Sequence, residues 1–492
     1  MLKKIFESTL IMGTSSILVM SLNLVRVKIL AVLLGPEGVG TLSVLNHFHS
    51  LTATFIGLGL GTGIVKYVAK FGNEKKYELQ NKIFSNSFQI VFLISVVGFL
   101  LIYIFRTLLS EWMLGDGKYS SFVIIFAISF PLAVYPSITN SVLQGMKKIK
   151  QLALINILRS AISILIIIPI VFYFRLNGAI FSVLVITTIH LILNRYFIGK
   201  EDLKFSINRW MAFDADLLKK ILRYGMTSLV VGTAYYLSHL LLKIIIIDSL
   251  GVKINGIYQP VWALTMTYLT LVLSSMSAYS YPRLCELQSL NEINNELNGI
   301  IRVAFLIITP VMFLLIIARK PLIMILYSNS FLPATIYMPV QIIGDFFKVI
   351  YWALGMFLLP SKRLSAFVVL NLLIDFLLVT LAYILVDRYR LHGITASFAI
   401  SHAIGFLALL IYSKIKIKFR FWAINRSMVL LSLTSLILIT ISEKLLVFDL
   451  YIIVSILVIS IWAFGSIQKT EILQLKKYLY LKLSNAFIDN KT

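Results

Sequence analysis

The chain has 492 residues, of which 59% are hydrophobic and only 13% charged, with a formal net charge of +24 and a mean hydropathy of +0.92. Soluble domains carry roughly 25% charged residues and too little polar surface to cover a chain this apolar, so a soluble enzyme, a disordered chain and a small disulfide scaffold are excluded. A single cysteine, Cys285, excludes an intramolecular disulfide and a cysteine-based metal cluster. What remains is an all-α polytopic membrane protein.

A spanning helix needs about 20 mostly apolar residues. In chain order the sequence offers fourteen such segments: 9–34, 39–68, 83–105, 120–145, 152–174, 178–198, 222–247, 254–282, 300–318, 333–359, 364–386, 392–413, 427–447 and 450–467. Breakers or charge mark the joints, as at Gly35-Pro36-Glu37-Gly38, Gly115-Asp116-Gly117 and Pro360-Ser361-Lys362-Arg363. The first segment is too long for a cleavable signal peptide, and no small-residue cleavage site follows it. With the N-terminus inside, lysine and arginine in the inner loops and tails outnumber those in the outer loops by more than three to one. This is a positive-inside pattern, and it places both termini in the cytoplasm. The basic loops then face anionic lipid headgroups, which accounts for the net charge without nucleic acid.

Short motifs recur about 215 residues apart. Leu34-Gly35 with Gly40 matches Leu250-Gly251 with Gly256, Lys28 matches Lys243, Asn156 and Leu158 match Asn371 and Leu373, and Gly178 and Ser182 match Gly393 and Ser397. Several matches in order at one offset indicate duplication. Six spans separate the copies, so both enter the membrane in the same direction. A parallel repeat of two six-helix bundles is expected, an arrangement found in alternating-access carriers. The expected organisation is 1–198 for the first bundle, 199–221 for a cytoplasmic linker, 222–413 for the second bundle, 427–467 for two additional helices and 468–492 for a basic cytoplasmic tail. The last two helices have no repeat partner and read as an appendage whose removal leaves a folded core.

Ionisable groups within spans cost about 2.5–3.5 kcal/mol on insertion scales and mark cavities or partners. Lys28 and Lys243 stand at repeat-equivalent places, so they are candidates to face each other across a cleft; snorkelling to the headgroups is the alternative. Arg26 is two positions from Lys28, nearly the opposite helix face, and reads as a snorkelling residue. Asp345 and Lys348, three apart, share a face and can pair. Arg159 and Asp375 fall at nearly equivalent repeat positions; either is a cleft-lining candidate, and Asp375 is also a candidate proton or cation carrier. Lys66 and Arg283 sit at inner span ends, where they anchor helices or collect an anionic headgroup. His47, His49, His190 and His239 read as hydrogen-bonded packing residues. No spacing of histidine and cysteine suits a metal, and no cofactor motif is present. The glycines at 57, 59, 61 and 63 permit close packing; with no preceding strand and no following Lys-Ser/Thr they are not a phosphate loop.

The run Lys28-Ile-Leu-Ala-Val-Leu-Leu-Gly35-Pro36-Glu37-Gly38-Val39-Gly40, the stretch Lys66-Tyr67-Val68-Ala69, and Gln341-Ile-Ile-Gly344-Asp345-Phe-Phe-Lys348-Val resemble the bacterial O-antigen and polysaccharide lipid flippases of the multidrug/oligosaccharidyl-lipid/polysaccharide (MOP) superfamily. The resemblance covers about residues 1–413. It implies a MATE-like fold of two six-helix bundles around a cationic cavity in the bacterial inner membrane. It also implies a substrate of undecaprenyl pyrophosphate bearing an oligosaccharide, moved from the cytoplasmic to the periplasmic leaflet. By motif, Lys28, Lys66 and Lys348 carry over as substrate-binding positions and Asp345 as a charged cavity residue. Lys243, Arg159 and Arg283 are added from the residues themselves, and Asp345 and Asp375 are candidates for coupling to H+ or Na+. Membrane lipids and a polysaccharide polymerase are the implied partners. A drug or cation antiporter is disfavoured because the spans between residues 9 and 198 contain no Asp or Glu. A polytopic polymerase or glycosyltransferase is disfavoured because the outer loops are short.

Overall fold

The structure is a computed structural model in which residues 2–199 and 214–468 are described, with side chains from Thr14 onward apart from Tyr224, Lys444 and Phe448. Most of the expected linker and nearly all of the basic tail lie outside the described residues. Among the described residues fourteen α-helices follow in order: α1 (Leu2–Ile56), α2 (Leu60–Asn73), α3 (Tyr77–Ile104), α4 (Arg106–Leu114), α5 (Ser120–Gly145), α6 (Ile149–Gly199), α7 (Ala215–Leu250), α8 (Val252–Glu286), α9 (Leu290–Ile317), α10 (Arg319–Leu326), α11 (Met338–Gly355), α12 (Leu364–Ile417), α13 (Ala423–Leu445) and α14 (Phe448–Ser466). No strand occurs among the described residues. Ten helical segments among them are long and apolar enough to cross a membrane.

Three of these helices are each two expected spans joined through one non-helical residue: Gly35 in α1, Arg175 in α6 and Arg390 in α12. The breaks expose the duplication in the backbone itself. Gly35 (φ 63°, ψ −174°) is matched by Gly251 (φ 91°, ψ 159°) between α7 and α8. Arg175 (φ 49°, ψ −127°) is matched by Arg390 (φ 50°, ψ −135°), and Lys147 (φ 60°) by Lys362 (φ 56°). Positive φ is uncommon outside glycine, so its recurrence at the repeat offset is a signature of common descent rather than of composition. Downstream of the paired arginines, a side-chain carbon on Gly178 would collide with the carbonyl of Ile170, and one on Gly393 with that of Leu385. Ser182 and Ser397 then bond back to the carbonyls of Ala179 and Ile394, at 2.6 and 2.7 Å.

The described chain divides into two compact units. The first comprises the described residues within 2–261, 321–334 and 371–397, and the second residues 262–320, 335–370 and 398–468. The core of the first unit is built from Val44, Leu45, Phe126, Val142, Ile221 and Leu240, all fully buried. Glycines let its helices touch. A side chain on Gly40 would strike the carbonyl of Val252, and one on Gly256 the carbonyl of Pro36. Pro36 and Val252 are themselves repeat equivalents, so this contact is reciprocal. Asn255 secures it by donating to Gly40 O at 2.9 Å.

In the second unit, α9 is the organising helix. Phe305 meets Phe346 of α11 edge-on at 5.2 Å, and α13 and α14 are fastened to α9 by polar groups. The Asn298 amide nitrogen donates to Arg420 O, while its oxygen accepts from Trp422 N and the Asn425 side chain. Ser432 accepts from Trp462 Nε1 at 2.8 Å and from Thr309. The buried Arg302 guanidinium donates to Ser466 O and Met428 Sδ, and the buried Arg319 pairs with Glu443. The last two helices, expected as an appendage, thus hold the partners of two buried arginines.

Candidate functional site

The half-buried side chains of Arg26 on α1 and Arg159 on α6 lie within electrostatic range of each other. Arg159 is also in range of His190 on the second half of α6. His190 Nε2 is 3.4 Å from Asn140 Nδ2 on α5. Among the described residues neither guanidinium has a carboxylate partner, and Arg26 Nε and Asn140 Oδ1 are buried without a hydrogen-bond partner. Guanidiniums are planar five-donor groups suited to bidentate capture of phosphate or carboxylate. Two of them together, with no acid beside them among the described residues, have the chemistry to hold an anion.

Lys28 is placed differently. Its ammonium donates to Met324 O at 2.7 Å and to Tyr327 O, capping the carbonyl end of α10 in the way cations complement helix C-termini. With Ile29, Val32, Leu33, Ile168 and Phe172 it also lines an open apolar crevice of about 290 Å³. Lys243 is buried, donating to Gln259 Oε1 at 2.8 Å and Ser43 Oγ at 3.3 Å, and it lies 6.0 Å over the Tyr258 ring. Each member of this repeat-equivalent pair is therefore bound to its own protein partners.

Close to Lys243 in the first unit runs a line of titratable groups. Ser238 on α7 donates to Asp375 Oδ1 on α12 at 2.9 Å and contacts His239 Nδ1 at 3.3 Å. The His239 ring stacks with that of His47 on α1, with centroids 6.3 Å apart and planes 9° from parallel. Nothing local in the chain announces this pairing, since 192 positions separate the two histidines.

In the second unit, Asp345 is fully buried and accepts from the Tyr268 hydroxyl at 2.7 Å. Lys348, one turn along α11, reaches Met266 Sδ at 3.5 Å and the Phe398 ring at 5.7 Å. Lys66 is exposed beside Tyr67. Arg283 is exposed and paired with Glu286 at 3.2 Å and Glu296 at 4.0 Å. No group of three or more potential metal-binding side chains occurs among the described residues.

Comparison with known proteins decides the family. Residues 5–288, more than half the chain, match the family described as polysaccharide biosynthesis protein. The chain belongs to this family. It is 20% identical over 411 residues to the lipid III flippase of Escherichia coli (strain K12), covering 81% of this chain and 96% of that protein. It is 22% identical over 386 residues to a putative O-antigen transporter of Shigella flexneri, covering 75% and 87%. Among solved structures, an inward-facing multidrug resistance MATE transporter of the MOP superfamily superposes with a TM-score of 0.72 at 15% identity, covering 81% of this chain and 94% of that one. The lipid II flippase MurJ in an inward closed conformation gives 0.63 at 17% identity, covering 93% and 98%. The fold is the one these solved MOP-superfamily structures share, and the chain is an integral membrane protein of this family.

Proposed function

We propose that this family member flips a lipid-linked oligosaccharide, an undecaprenyl pyrophosphate bearing a polysaccharide repeat unit, from the cytoplasmic to the periplasmic leaflet of the bacterial inner membrane by alternating access, with both termini cytoplasmic. The observation that carries this reading is that Arg26 and Arg159, within electrostatic range of each other, have no acid beside them among the described residues. Two cations with no acid beside them are costly in a membrane protein and suit a substrate that brings its own negative charge. A pyrophosphate carries such charge and cannot cross hydrocarbon bare. The names of the relatives, a lipid III flippase and a putative O-antigen transporter, point to the same substrate class. Lys348, Lys66 and Arg283 are secondary contacts in this reading, and Asp375 is the carboxylate through which an ion gradient does work, with Asp345 a second such group.

The test is translocation of a fluorescent polyprenyl-pyrophosphate saccharide in vesicles containing the purified protein. Arg26→Ala/Arg159→Ala is expected to abolish translocation at unchanged protein level and thermal stability. Undiminished translocation by the double variant would remove the pair from the substrate path.

A further inference from the structure

The stacked histidines have a chemistry that packing does not require. His47 Nδ1 lies 2.8 Å from Ser43 O, and His239 Nδ1 lies 2.9 Å from Tyr235 O, each the backbone carbonyl four residues earlier on its own helix. A carbonyl oxygen only accepts, so Nδ1 carries the hydrogen in both rings and Nε2 is the basic nitrogen of each. Two buried imidazoles of the same tautomer thus lie face to face. The charged or titratable groups around them come from every helix that contributes to the cluster: Tyr235 and Lys243 on α7, Tyr258 on α8 and Asp375 on α12. Lys243 stands beside His47, and Asp375 reaches His239 through Ser238. A carboxylate lies at one end of the line and an ammonium at the other, with two neutral bases between them. Chains of acidic and imidazole groups are the usual parts of intramembrane proton relays.

We propose that the His47–His239 pair is the proton-binding element of this carrier, with Nε2 of His239 as the resting place of the proton and Asp375 as its counter-charge. The inference rests on the reading of the chain as an ion-coupled transporter and names the ion. Uptake breaks an O–H bond of hydronium and forms the Nε2–H bond, releasing one water; release reverses this, and no other reactant takes part. The gain of one positive charge strengthens the attraction of His239 for Asp375 across Ser238. It thereby pulls α7 toward α12 and sets α1, through His47, against a cation. Proton binding is thus tied to three helices of the first unit.

The chain has six histidines, few enough for each ring to be read separately by 15N-imidazole spectroscopy of the purified full chain in lipid nanodiscs. Conversion of the His239 ring to imidazolium between about pH 5 and pH 8 is expected, the range in which this side chain changes charge. His239 and His47 both staying as the neutral Nδ1–H tautomer across that range would overturn the proposal. No saccharide is needed for this measurement, so it stands or falls separately from the substrate assignment. In proteoliposomes, an imposed pH gradient is expected to stimulate translocation. His239→Asn and His47→Asn, which retain a donor to the helix carbonyl, are expected to lose that stimulation with unchanged thermal stability. Stimulation by a sodium gradient alone, or stimulation by a pH gradient that survives His239→Asn, would also overturn it.

Discussion

Four arginines in or beside the spans divide into two kinds. In the second unit, Arg302 and Arg319 are buried and answered, one by a helix-end carbonyl and a thioether, the other by the Glu443 carboxylate. In the first unit, Arg26 and Arg159 are half-buried and answered by no acid among the described residues. The guanidinium is the same in both places, so the difference lies in what the fold supplies opposite it. A buried charge left without its partner is strongly destabilising, and the second unit supplies that partner from its last two helices. The first unit withholds it, which leaves charge for a ligand to neutralise.

The contrast predicts opposite responses to mutation. The largest effect is expected from deleting residues 427–492, which removes the partners of both Arg302 and Arg319. Inserted, folded protein should be lost, measured by membrane yield and size-exclusion profile. The sequence alone gave the opposite expectation, a core that survives. The point variant Glu443→Ala, which strands Arg319, should cost about 3–5 kcal/mol, read as a large fall in thermal stability. Arg319→Leu combined with Glu443→Leu should recover much of it, because a buried ion pair replaced by apolar groups is often neutral.

Next in size is loss of transport without loss of fold. Arg26→Ala or Arg159→Ala singly removes one charge-assisted contact, worth about 1.5–3 kcal/mol, and should slow translocation about ten- to a hundredfold while leaving thermal stability unchanged or improved by relief of like-charge repulsion. A collapse of stability in either variant would place these arginines with Arg302 and Arg319 after all.

Lys28→Ala should behave as an intermediate case. It removes the cap on the carbonyls of Met324 and Tyr327, and a fall in stability of about 1 kcal/mol is expected. The smallest effect is at the kinks. Arg390→Gly relieves positive-φ strain that costs of order 1 kcal/mol, and should raise the melting temperature slightly.

Much of the architecture was legible because breaks in hydrophobic runs are local. Gly35, Gly251, Gly178 and Gly393 announced both the joints and the duplication, and the structure adds Arg175 and Arg390 at the same offset. The helical wheel separates Arg26 from Lys28, but the snorkelling expected of Arg26 is not what the structure shows, since its Nε is buried. It gave no indication of which face turns inward, because that depends on α6, more than a hundred residues away. Lys28 drew attention through its repeat partner, yet its ammonium is held by carbonyls 296 and 299 positions distant. The histidine pair and the α9 network are likewise long-range, and no periodicity encodes them. Arg319 shows no acid near it in the sequence because Glu443 is 124 residues further on.

The seam at Pro36–Gly40 and Val252–Gly256 carries a historical consequence. Each segment presses its glycine onto the other's carbonyl, the self-complementary pattern by which identical subunits dimerise about a twofold axis. A half-length ancestor bearing one such segment already possessed the surface needed to recruit a twin, and gene fusion had only to make that companionship permanent.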